Sequence, residues 1–335
     1  MKKYFVHEVK KNAYVLGALV LVMIILYVTP LLISSPEELE HDTLHIGTLS
    51  AYAGILAVCV PVWLTQYKMK KRSIDLYYAL PLTHTKILAV RYLLGLIAVF
   101  APYTVAYWLG AFVVMAKINY AIYAVWYLPL YFSALIPIYI IYSISAFVYT
   151  RANRDIDGFM FLIFWFFALA LVVFAFELLT RADNFYAQYF IPFEPLDVAT
   201  DYFQGRIYYP EYEIYWSAGK KVCMALGFCI TALLSAGATF GLFYTEKFAK
   251  AENAGQLSES WFGYKVMLPL YTVCLTSLCE ADFYFSVFIF LLIATGMFFA
   301  NVLYKRTIKI GKKQALIFAL SLFAGIILSI INTVA

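Results

Sequence analysis

Nine long apolar stretches constrain this chain more than any other feature. They fall near 13–33, 47–66, 88–115, 120–149, 158–179, 222–244, 264–279, 283–303 and 314–334. A helix needs about 20 predominantly apolar residues to cross a hydrocarbon core, so each is read as a membrane span. The third and fourth exceed that length and are expected to tilt or kink, with Pro102, Pro129 and Pro137 as candidate kinks. The seventh is short, and only Glu280, Ala281 and Asp282 separate it from the eighth, so a re-entrant hairpin is the alternative there. Composition agrees, with 64% hydrophobic and 13% charged residues. A water-surrounded domain has about 45–50% and about 25%.

The loops give orientation. Basic residues gather on alternate loops: Lys2, Lys3, Lys10 and Lys11; Lys68, Lys70, Lys71, Arg72, Lys86 and Arg91; Arg151 and Arg154; Lys247, Lys250 and Lys265; Lys305, Arg306, Lys309, Lys312 and Lys313. Acidic residues favour the other side, at Glu37, Glu38, Glu40, Asp42, Asp183, Glu194, Asp197, Asp201, Glu211 and Glu213. The positive-inside rule places the N-terminus in the cytoplasm and, with nine spans, the C-terminus outside. The +5 net charge is thus an orientation signal rather than a nucleic-acid footprint. The first apolar run is too long for a signal peptide and lacks an A-x-A site. No repeat or Gly/Ser-rich linker divides the chain, so residues 1–335 read as a single membrane domain. The long segment 180–221, rich in Tyr and Phe, is expected outside.

Chemistry-bearing motifs are scarce. A P-loop needs G-x-x-x-x-G-K-[ST] to cradle phosphates, and neither Gly219-Lys220-Lys221 nor Gly311-Lys312-Lys313 satisfies it. No nucleophile–base constellation is recognisable, so the chain reads as a non-enzyme without a cofactor. The five cysteines form no C-x-x-C pair and read as packing residues. His41 and His45, with Glu38 and Asp42, have a spacing that places ligands on one helix face, but no second cluster accompanies them and no metal site is assigned. Ion-coupled carriers place ionisable groups at mid-membrane. Glu177 and Arg91 are the candidates, and both lie near span ends, where snorkelling to the interface explains them. Gly237 and Gly241 form a G-x-x-x-G that permits close helix packing, within the chain or between chains.

The loop at 67–87 is the richest segment. Ser73 is positioned to cap a helix over Ile74-Asp75-Leu76-Tyr77-Tyr78-Ala79-Leu80, ended by Pro81. Thr83 or Thr85 then caps a helix running into span three. Ile74, Tyr77 and Tyr78 make an apolar stripe that suits either a partner's groove or the lipid headgroups.

Leu76-Tyr77-Tyr78-Ala79-Leu80-Pro81-Leu82-Thr83-His84-Thr85-Lys86-Ile87, followed by Arg91-Tyr92-Leu93-Leu94-Gly95, resembles a stretch of ABC-2 type permeases, the membrane subunits of bacterial ABC exporters. Phe243-Tyr244-Thr245-Glu246-Lys247 and Glu252-Asn253-Ala254-Gly255 resemble a loop of larger Gram-positive members, with Lys247 in place of an Arg and a longer spacing. An amphipathic N-terminal segment (Phe5, Val6 and Val9 against the lysines) agrees. The resemblance implies an all-α, polytopic transmembrane bundle: a six-span, type V exporter-like core over 1–245 and additional C-terminal spans over 246–335. It implies a bacterial cell-membrane subunit without ATPase activity, paired with a second permease subunit and driven by a separate P-loop ATPase. Ser73, Ile74, Asp75, Leu76, Tyr77 and Tyr78 would then form the coupling helix, serving efflux or antimicrobial-peptide resistance. An ion-coupled carrier and a membrane scaffold or sensor are the alternatives.

Overall fold

The computed structural model describes residues 2–36, 39, 46–117, 126–180, 218–249, 251–258, 260–277, 283–305, 307–309 and 311–334. Those residues are mostly helical, joined by turns and loops, with no strand among them. The helices are α1 (Lys2–Lys11), α2 (Ala13–Ile33), α3 (Ile46–Thr65), α4 (Lys71–Tyr78), α5 (His84–Lys117), α6 (Tyr127–Tyr149), α7 (Asp155–Thr180), α8 (Ala218–Glu246), α9 (Tyr264–Ser277), α10 (Phe283–Lys305) and α11 (Lys312–Val334). Seven of these are long and apolar enough to cross a membrane: α2, α3, α5, α6, α7, α8 and α11. The chain is therefore a helical protein with membrane-spanning capacity.

Two expected spans do not reach that standard over the described residues. Helix α9 has 14 residues, about 21 Å at about 1.5 Å per residue, against a hydrocarbon core of about 30 Å. In α10 the apolar stretch is Val287–Val302. Conversely, α5 runs for 34 residues, about 51 Å, and projects well beyond a bilayer.

The helices pack as two compact units. The first takes in the described residues that fall within 2–67, 72–147 and 218–249. Helix α5 is its axis, packed against α1, α2, α3 and α8. Within α2 a π turn, Ile24–Val28, ends two residues before Pro30. Proline lacks the N–H that an α-helix would use there, and a widened turn absorbs the defect. The turn directs Tyr27 against Gly110 of α5, where a Cβ would overlap the ring. Lys117, the last residue of α5, donates to the carbonyls of Leu31, Leu32 and Ser34 at 2.9, 2.7 and 2.7 Å, satisfying the open end of α2.

The second unit takes in the described residues that fall within 68–71, 148–180 and 251–334. The short α9 is its centre and touches α7, α10 and α11. The Glu252–Gly255 loop docks on the turn after α6. Gly255 N–H donates to Asn153 O at 2.8 Å, Arg154 Nε donates to Gly255 O at 2.8 Å, and Ser258 Oγ donates to Arg151 O at 2.9 Å. Gly255 has φ +77°, which explains why glycine stands there.

Candidate functional site

The helix in the basic loop is real but is set differently from the sequence expectation. Helix α4 starts at Lys71, not after Ser73. The chain leaving α3 stays wound through a 3-10 turn, Gln66–Met69, so the helix resumes after Lys70 and Ser73 lies inside its first turn. It ends at Tyr78, before Pro81, and Thr83 directly precedes α5, its carbonyl accepting from the N–H groups of Lys86 and Ile87.

The apolar stripe of α4 faces its own chain. Ile74 is 3% exposed, and Tyr77 and Tyr78 are half-buried. Tyr77 meets the Tyr67 ring edge-on at 4.8 Å between centroids. Tyr78 stacks on His84 at 3.6 Å. What α4 presents outward is Arg72, Asp75 and Leu76, the last 68% exposed.

Arg91 lies beneath this helix, on α5. It is 7% exposed and does not snorkel. Its guanidinium carbon sits 4.2 Å from the Tyr67 centroid and 4.3 Å from that of Tyr77. Nη1 donates to Leu64 O, at the end of α3, at 2.6 Å. Two ring faces and a helix C-terminus are all favourable places for a cation, and together they hold it away from water. One turn on, a Cβ at Gly95 would overlap the Tyr142 hydroxyl, which donates to Tyr92 O at 2.8 Å. The glycine of the Arg91–Gly95 stretch is thus needed for contact with α6.

Two carboxylates share this region. Glu246, the last residue of α8, is 0% exposed, and Glu8 of α1 is buried beside Asn12, whose Nδ2 donates to Glu8 O at 2.8 Å. Burial pushes the Tyr78 phenol up to about 12, with the negative charge of Glu246 adding to it. Burial likewise pushes Tyr4 of α1 up to about 12, against the opposing pull of Arg91. Residues from α1, α3, α4, α5 and α8 thus converge where α4 meets the membrane helices. Glu8 was not singled out in the sequence, and Glu246 figured there only within the Phe243–Lys247 stretch, with no expectation of burial. In α1, the amphipathic segment, Val6 is exposed while Glu8 is buried.

Of the G-x-x-x-G pair, Gly241 is closely packed, since a Cβ there would lie 2.9 Å from Phe147 Cε2. Gly237 faces open space. Among the described residues no group of three or more His, Cys, Asp or Glu is placed to hold a metal. Glu38, His41, Asp42 and His45, the segment 181–217 and the side chain of Glu177 lie outside the described residues. No family model, curated protein or solved structure matches this chain.

Proposed function

We propose that this chain is the non-catalytic membrane subunit of an ATP-driven exporter, with α4 as the element that receives force from a separate ATPase. The observation that carries the reading is the two-sidedness of α4. Its inner face is clamped on Arg91 and Tyr67, at the ends of two long apolar helices, while Arg72, Asp75 and Leu76 point outward. A helix only glued to headgroups needs no such anchor. A helix that transmits a push needs both a free face for the partner and a stiff connection to the spans. The ABC-2-like stretch beginning at Leu76 supports the same role.

In this reading the basic loops face the cytoplasm, the ATPase docks there, and a second permease subunit completes the conduit. Leu76 seats in an apolar recess of the ATPase and Asp75 pairs with a basic residue of it. The test is copurification from native membranes with wild-type chain, Asp75→Lys and Leu76→Asp. The wild type is expected to carry a P-loop ATPase, and the variants to lose most of it while keeping their fold. A wild-type preparation without any such partner, or transport in liposomes driven by a proton gradient alone, overturns the proposal in favour of an ion-coupled carrier.

A further inference from the structure

The second unit contains a cavity of about 560 Å³ between α9, α10 and α11. That size lies within the range of about 300–1,000 Å³ typical of small-molecule sites. Its charged groups gather at one end of the three walls. On α9, Lys265 precedes Leu268 and Pro269; on α10, Lys305 and Asn301 follow Met297; on α11, Gln314 precedes Ile317 and Phe318, and the one polar residue deeper on that wall, Ser321, is uncharged and donates to Phe318 O at 2.8 Å. The charged end therefore coincides with the ends of the apolar helices: Lys305 is the last residue of α10, and Gln314 lies in the first turn of α11. The apolar end lies up to about two turns deeper, about 10 Å. Among the described residues the lining holds no Asp or Glu. Trp261, 78% exposed, stands at the charged end, and Ile317 is exposed at the apolar end, so the cavity opens to its surroundings along that axis.

From this arrangement we propose that the cavity binds an anionic phospholipid, with its phosphate between Lys265 and Lys305 and the start of an acyl chain against Leu268, Met297, Ile317 and Phe318. A membrane-spanning helix ends at headgroup level, where basic pockets between helices capture anionic headgroups. A free phosphate would leave the apolar walls without a partner, and a zwitterionic lipid would bring a cation toward two lysines. The cavity belongs to the second unit, so this inference is independent of the role given to α4.

The experiment is thermal unfolding of the detergent-purified chain with added phosphatidylglycerol, phosphatidylcholine or glycerol phosphate. Phosphatidylglycerol is expected to raise Tm, and the other two to leave it unchanged. The Lys265→Gln/Lys305→Gln double variant is expected to lose that rise, and Lys247→Gln, outside the cavity, to keep it. Should the double variant fail to fold, Ile317→Trp, which fills the apolar end, is expected to lose the rise while retaining the unliganded Tm. Equal shifts with phosphatidylglycerol and phosphatidylcholine, a shift with glycerol phosphate, or an undiminished rise in the cavity variants would each overturn the assignment.

Discussion

Arg91 is held by the Leu64 carbonyl of α3, the Tyr67 ring of the 3-10 turn that follows it and the Tyr77 ring of α4, so its loss removes several interactions together. A hydrogen bond to a charged group contributes about 1.5–3 kcal/mol, and each desolvated cation–ring contact about 0.5–2 kcal/mol. Arg91→Ala is expected to destabilise the detergent-purified chain by about 2–4 kcal/mol, read as a lowered denaturation midpoint. Arg91→Lys should recover only part, because an ammonium cannot lie flat between two rings while donating sideways to Leu64 O. An unchanged midpoint in Arg91→Ala would refute the energetic role given to the cluster. At Gly255 the left-handed backbone, φ +77°, disfavours any Cβ. Gly255→Ala is expected to cost about 1–2 kcal/mol and Gly255→Asn less, because Asn tolerates that conformation; equal losses in the two variants would count against it.

At the scale of the element, α4 carries one half-buried neutral phenol, Tyr78, and α1 carries another, Tyr4, beside Arg91. The Tyr4 and Tyr78 pKa values stand at about 12, raised from 10.0. Below pH 10 both phenols are protonated, folded or unfolded, and stability is undisturbed by them. Between pH 10 and about 12 the unfolded chain releases protons that the folded chain keeps, so stability falls as pH rises through that window. The double variant Tyr4→Phe/Tyr78→Phe is expected to lose less stability than wild type between pH 10 and 12, measured by chemical denaturation at fixed temperature; parallel pH curves would sink this account. Helix α4 separates two kinds of substitution. Ile74→Ala removes a buried side chain and should lower stability by about 2–4 kcal/mol. Leu76→Ala lies on the exposed face and should leave stability within about 0.5 kcal/mol while weakening partner retention. Failure of the two variants to separate in this way would mean that α4 has no distinct inner and outer faces.

For the whole molecule, topology turns on α9 and α10. If both cross, or if neither does, the number of spans stays odd and the chain ends lie on opposite sides of the membrane. Single cysteines at Ser73 and Asn332 are therefore expected to react with an impermeant maleimide from opposite sides, with Ser73 on the side of Lys10; labelling from the same side would show that only one of the pair crosses. Seven of the nine expected spans were legible in the sequence because hydrocarbon imposes a local requirement, a continuous apolar run, that each of those segments meets by its own composition. The helix in the basic loop and its stop before Pro81 were legible for a similar reason, since proline acts on its immediate neighbours. Burial of Arg91, Glu8 and Glu246 was not. A charge near a span end satisfies the same sequence rule whether it reaches water or lies under two tyrosines, and the groups that decide between these, Leu64, Tyr67 and Tyr77, come from other elements. The inward turn of Ile74 and the cavity with its charged end have the same origin. Sequence by itself determined where this chain can be helical and how much of it lipid can surround; tertiary structure alone decided which polar groups are withdrawn from water and which face of α4 is left free, because desolvation and packing depend on partners far away along the chain.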